Sequence, residues 1–101
     1  MRMVFCTCPK DSADEIADTV LSERLVACVN IIPWIKSKYW WEGKISTEEE
    51  CLLIMKTRSD LIPELTEKIK EIHPYQVPEI LTFRIMEGNP DYLEWIAKET
   101  K

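Results

Sequence analysis

Apolar and polar positions change period along this chain, and each change predicts an element. Met3-Val4-Phe5-Cys6-Thr7-Cys8 is a β-rich apolar run stopped by Pro9, which predicts a first strand. Ser12, followed three residues later by Glu15, matches a capping box. Ala13, Ile16, Ala17, Val20 and Leu21 then recur with the spacing of one helix face, and Asp14, Asp18, Ser22 and Glu23 fall opposite. Leu25 to Ile32 is apolar at nearly every position, predicting a strand buried on both faces; only Asn30 needs hydrogen-bond partners or an opening. Pro33 interrupts, Lys36 to Trp41 resumes an extended pattern, and Glu42-Gly43 predicts a hairpin turn before Lys44-Ile45. Glu48-Glu49-Glu50 reads as a solvated bend and Cys51 to Lys56 as another mostly buried strand.

Ser59 and Asp60 are placed to cap a second helix that tolerates Pro63 only in its first turn. Its buried stripe is Leu61, Leu65, Ile69 and Ile72. His73-Pro74-Tyr75-Gln76-Val77-Pro78 ends it, because each proline drives the residue before it out of helical dihedrals. Glu79 to Met86 is predicted as a strand. Asn89 then supplies an N-cap and Pro90 an N1 proline for a last helix with Tyr92, Leu93, Ile96 and Ala97 on its apolar face. The order βαββαβ plus a C-terminal helix is the ferredoxin-like, split βαβ arrangement of the α+β class. It occupies residues 1–101 as one domain. Two helices cover one face of the sheet, yet the strands Leu25 to Ile32 and Cys51 to Lys56 show little alternation and are apolar on both faces, which predicts self-association.

Composition narrows the functional classes. Hydrophobic residues make up 46% of the 101, which excludes global disorder. Eighteen Asp and Glu against thirteen Lys and Arg give a net charge of -5, so a nucleic-acid partner is not expected. No apolar run approaches the ~20 residues that cross a bilayer, so no membrane partner is expected either. Four cysteines without a secretory signal read as free thiols in the cytosol.

The topology brings distant residues to one end of the sheet. There the end of the first strand, Cys6 to Pro9, meets the loop His73 to Pro78 and the Glu42-Gly43 hairpin, so Cys6, Cys8, His73, Tyr75, Trp41 and Glu42 are expected to converge. Cys6 and Cys8 lie on one face of a strand, and thiolate with imidazole suits copper or zinc. The same residues also fit plain packing, a helix C-cap at His73, or a Cys–His nucleophile pair. The Trp40-Trp41 pair suits an interface or a ligand-binding wall.

Three stretches carry a family resemblance: Glu23-Arg24-Leu25-Val26-Ala27-Cys28-Val29-Asn30, Tyr39-Trp40-Trp41-Glu42-Gly43-Lys44 and His73-Pro74-Tyr75-Gln76-Val77-Pro78-Glu79-Ile80. With the ending Asp91 to Ile96, they resemble the CutA family of divalent-cation tolerance proteins. The resemblance implies a homotrimer akin to the PII signalling proteins, without enzymatic activity, linked to tolerance of copper and other divalent metals. It implies Cys6 and His73 as metal ligands; Ile72 stands where bacterial relatives carry a second histidine, and Cys8 is a substitute thiolate. An alternative role is a trimeric scaffold or signalling module whose inter-subunit clefts bind a small ligand or protein through Trp41, Lys56, Tyr75 and Glu79.

Overall fold

A computed structural model describes residues 1–101 and measures 45 × 25 × 22 Å. In chain order the elements are β1 (Arg2–Cys8), α1 (Ala13–Ser22), β2 (Cys28–Trp41), β3 (Lys44–Thr57), α2 (Ile62–Ile72), β4 (Ile80–Arg84) and α3 (Pro90–Glu99). The strands form one antiparallel sheet in the order β2-β3-β1-β4, so β1 lies between β3 and β4 as the split βαβ reading requires.

One face of the sheet is covered by α1 and α2. Val4, Cys6 and Cys8 alternate inward from β1, and Cys51, Leu53 and Met55 do so from β3. They meet Ile16 and Val20 of α1 and Leu65 and Ile69 of α2 in a single cluster. The opposite face carries Phe5, Leu81 and Phe83. Phe5 and Phe83 rings pack 4.8 Å apart, while Leu81 stays 51% exposed. At its C-terminal end α3 is tied back by the Lys101 N–H donating to the Arg24 carbonyl at 3.0 Å.

Several predicted boundaries move. The two extended stretches around Pro33 are one 14-residue strand, with a register shift between Ile32 and Ile35 that absorbs the proline as a bulge. Leu25 and Val26 are buried but precede the strand. Glu48 to Glu50 do not bend: they lie inside β3, and Glu50 is only 5% exposed. The capping box does not form, because Ser12 ends a 3-10 turn, Lys10–Ser12, and makes no side-chain cap bond. A second 3-10 turn, Ser59–Leu61, likewise replaces a side-chain cap on α2. At α3 the expected cap is present, with Asn89 Oδ1 accepting from the Asp91 N–H at 3.0 Å.

The hairpin turn is as the sequence predicts. Glu42 (φ 50) and Gly43 (φ 78) both take positive φ, the requirement of a two-residue turn matched to strand twist. Seven residues of β3 pair with β1, and the other seven, Lys44 to Glu50, run past its end. That is a ribbon of roughly 23 Å projecting beyond the sheet.

Candidate functional site

The end of β1, the loop after α2 and the root of the projecting hairpin come together. His73 is 7% exposed, and its ring joins the loop to β1. Its Nε2 lies 2.8 Å from the Thr7 carbonyl oxygen, and its Nδ1 accepts the Tyr75 N–H at 3.1 Å. A carbonyl only accepts and an N–H only donates, so these partners specify the neutral ring with its proton on Nε2. The imidazole therefore sits on the residue between Cys6 and Cys8, as the topology predicts.

The two cysteines face away from the hairpin. Strand alternation turns Cys6 and Cys8 into the core beneath α1 and α2, fully buried, while Thr7 turns to the other face. Burial is the main reason the Cys6 thiol is pushed up to about 12, with Cys8, Glu79 and Glu50 adding to it. Burial and then Cys51 hold the Cys8 thiol at about 11. Both are neutral thiols at pH 7, so metal binding must displace their protons. The Cys6 thiol donates to the Thr7 carbonyl at 3.7 Å. No group of three or more His, Cys, Asp or Glu side chains is arranged to hold a metal ion.

On the opposite side of β1 lies a cavity of about 750 Å³ between the hairpin and the loop 74–79. Trp41, Tyr75 and Glu79 line it, with Thr7, Glu48 and Glu50. The Tyr75 hydroxyl donates to Glu50 Oε2 at 2.8 Å and approaches Glu48 Oε2 at 3.5 Å. Burial first, and the bond to Glu50 second, raise the Tyr75 hydroxyl well above the ordinary phenol range. Burial and then Glu50 raise the Glu79 carboxyl as well. The lining is thus mainly aromatic and acidic, with Lys38 its one basic residue.

The other expected residues lie elsewhere. Glu42 is at the hairpin tip and does not line the cavity. Lys56 faces the open side of the sheet, where its Nζ bonds Asn30 Oδ1 and lies 3.8 Å from Cys28 Sγ. This contact answers the question posed by the polar Asn30. Sequence reasoning missed Glu48 and Glu50 at the cavity. Strand alternation through the three glutamates was the available signal, since it sends Glu48 and Glu50 to one face.

A four-stranded 4-1-3-2 sheet with two helices on one face, a long projecting hairpin and a site at its root defines an α+β protein of the ferredoxin-like, PII-like kind. The comparisons with known proteins specify it further. The family described as CutA1 divalent ion tolerance protein matches residues 2–99, and the chain belongs to that family. It is 47% identical to the divalent-cation tolerance protein CutA of Pyrococcus horikoshii, covering 100% of this chain and 99% of that protein. It is also 48% identical to the chloroplastic protein CutA 1 of Oryza sativa over 98% of this chain. The chain spans about half the length of that plant relative and of the mouse and human ones, 56%, 55% and 55% respectively. The Pyrococcus horikoshii CutA1 crystal structure superposes with a TM-score of 0.95 at 46% identity, over 100% of this chain and 99% of that one. The PII-like protein CutA of Nostoc gives 0.95 at 30% identity, over 100% and 98%.

Proposed function

We propose that this chain is a homotrimeric divalent-cation tolerance protein that binds metal ions, copper foremost, and contributes to heavy-metal tolerance as a binding protein rather than an enzyme. The observation that carries the metal reading is the bond of the His73 imidazole to the carbonyl of Thr7, the residue between Cys6 and Cys8 in the sequence. The donors fit copper in kind, two soft thiols and an imidazole. Both ring nitrogens are already bonded, so ligation requires His73 to release Thr7 or Tyr75. Copper then stands in for the contact that ties the loop to β1, and metal binding is coupled to a loop change. We place the protein in the cytosol, where its four free cysteines stay reduced. Relatives from Oryza sativa and Archaeoglobus fulgidus are described as chloroplastic and periplasmic. No helix is long and apolar enough to cross a membrane.

The trimer is supported by family membership and by unpartnered aromatic surface. Trp40 is 73% exposed on the hairpin, and Leu81 and Phe83 lie on the open face. Light scattering at micromolar concentration tests it: a mass near three times 11.9 kDa is expected, and a monomer refutes the assembly. Equilibrium dialysis against Cu(II), Zn(II) and Ni(II) tests the metal reading. Integral copper retention that falls in Cys6→Ser and His73→Ala is expected, and non-integral retention indifferent to both refutes it.

A second reading is favoured by the cavity. Trp41, Tyr75 and Glu79 line one space, consistent with a scaffold or signalling module that takes a small ligand or protein partner in an inter-subunit cleft. A thermal shift caused by a small ligand without metal, lost in Trp41→Ala, supports that reading.

A further inference from the structure

Cys51 has no part in the site described above, yet the sheet register sets it directly opposite Cys8 on the neighbouring central strand. Both side chains point to the helix-covered face, Cys8 fully buried and Cys51 2% exposed. The Cys51 thiol donates to the Pro33 carbonyl at 3.4 Å, at the bulge of β2, a bond that it must release to share a ligand with Cys8. Cys51 is also, after burial, the second cause of the raised Cys8 thiol, which reports the same proximity.

Magnitudes decide what such a pair does. Directly opposed residues on antiparallel strands hold their Cβ atoms about 4.5–5.5 Å apart. A relaxed disulfide needs about 3.5–4.5 Å, so this pair sits wide for one. Two sulfurs bridged by one metal, with bonds of about 2.3 Å each, lie up to about 4.6 Å apart, which the cross-strand spacing accommodates. With two donors and no group of three or more available, zinc's usual four ligands cannot be met. A soft ion content with two thiolates can be.

We propose that Cys8 and Cys51 form a two-thiolate site for a soft monovalent cation, Cu(I) above all, inside the core. Binding releases two protons, one from each thiol, and leaves a single negative charge on the ion and its two sulfurs. Cys8 is two residues from exposed Lys10 and the 3-10 turn Lys10–Ser12. The inference rests on the reading of this chain as a copper binder but assigns the reduced ion to ligands other than His73.

The test is an anaerobic competition of Cu(I) against a chromogenic chelator at pH 7, using wild type, Cys8→Ser, Cys51→Ser and, as a thiol outside the site, Cys28→Ser. One Cu(I) per chain is expected, with at least a tenfold loss of affinity in Cys8→Ser and Cys51→Ser and less than a threefold change in Cys28→Ser. X-ray absorption on wild type decides the case if a serine variant does not fold: two sulfur neighbours with no nitrogen are expected. Wild-type Cu(I) affinity in a folded Cys51→Ser, or nitrogen in the wild-type shell, overturns the thiolate pair and leaves the Cys6–His73 reading standing. Absence of stoichiometric copper binding in either oxidation state removes both.

Discussion

Replacing His73 by alanine removes a side chain that joins two elements far apart in sequence. The Nε2–H bond to the Thr7 carbonyl and the Tyr75 N–H bond to Nδ1 each contribute about 1 kcal/mol net. Removal also strands the Tyr75 N–H and the Thr7 carbonyl at a site where the histidine itself is 7% exposed, and a stranded buried group costs about 1–3 kcal/mol. The loop rim is partly solvated, so water recovers part of that cost. Loss of the tilted ring contact with Tyr75, 4.9 Å between centroids, adds about 0.5–1.5 kcal/mol. These contributions overlap, and His73→Ala is expected to lose about 2–4 kcal/mol of a stability typically near 5–15 kcal/mol. The assay is urea unfolding of both proteins at one fixed chain concentration, because assembly links stability to concentration. His73→Gln, which keeps one donor and one acceptor, is expected to fall between the two. A loss below about 0.5 kcal/mol with unchanged urea dependence shows that the ring is not the tie described here.

Three further predictions follow from single contacts. Tyr75→Phe leaves Glu50, 5% exposed, without its hydroxyl donor, and is expected to cost about 1–3 kcal/mol in thermal or urea unfolding; an unchanged midpoint refutes the role of the bond. Cys6 and Cys8 bind their protons more tightly folded (about 12 and about 11) than at their ordinary 9.0. Their stabilising contribution is therefore full below pH 9 and lost as pH rises toward 11–12, with a slope of up to about 1.4 kcal/mol per pH unit for each thiol. Cys6→Ala is expected to flatten that slope, and an unaltered slope contradicts the burial argument. Trp41→Ala is expected to weaken the trimer, read as dissociation on dilution, more than it disturbs the subunit's circular dichroism; unchanged dissociation shows that Trp41 is not an interface anchor.

The legible parts of this fold are those where local period and global packing agree. The stripe Ala13, Ile16, Ala17 and Val20 is buried as its spacing demands, and Glu42-Gly43 turns because two positive φ values are needed in sequence. Pro33 was misleading for a physical reason: on an edge strand its missing N–H costs no ladder bond, and a bulge removes the remaining conflict. The three glutamates depart from the expected solvated bend because charge alone suggests solvent. What buries Glu50 is a tyrosine hydroxyl 25 residues away, which no local pattern announces. The candidate site divides the same way. The split βαβ topology brings His73 to the end of β1, but the alternation of one strand decides that Cys6 and Cys8 face the core while Thr7, Trp41, Tyr75 and Glu79 meet on the other side. The pairing of Cys51 is not legible locally, because a run such as Cys51 to Lys56 reveals a strand, whereas its partner Cys8 is named only by the register.

The most direct test of the central claim, metal handling by Cys6 and His73, is a Cu(II) competition titration against a chelator of known affinity. Wild type, Cys6→Ser and His73→Gln are run in parallel, each first shown to be folded. Copper heads the divalent affinity series and is held by many exposed imidazoles, so binding alone decides nothing. An integral stoichiometry per trimer, with at least a tenfold loss (about 1.4 kcal/mol) in both variants, is the result expected. Weak, non-integral binding indifferent to both substitutions contradicts the account and directs attention to the cavity lined by Trp41, Tyr75 and Glu79.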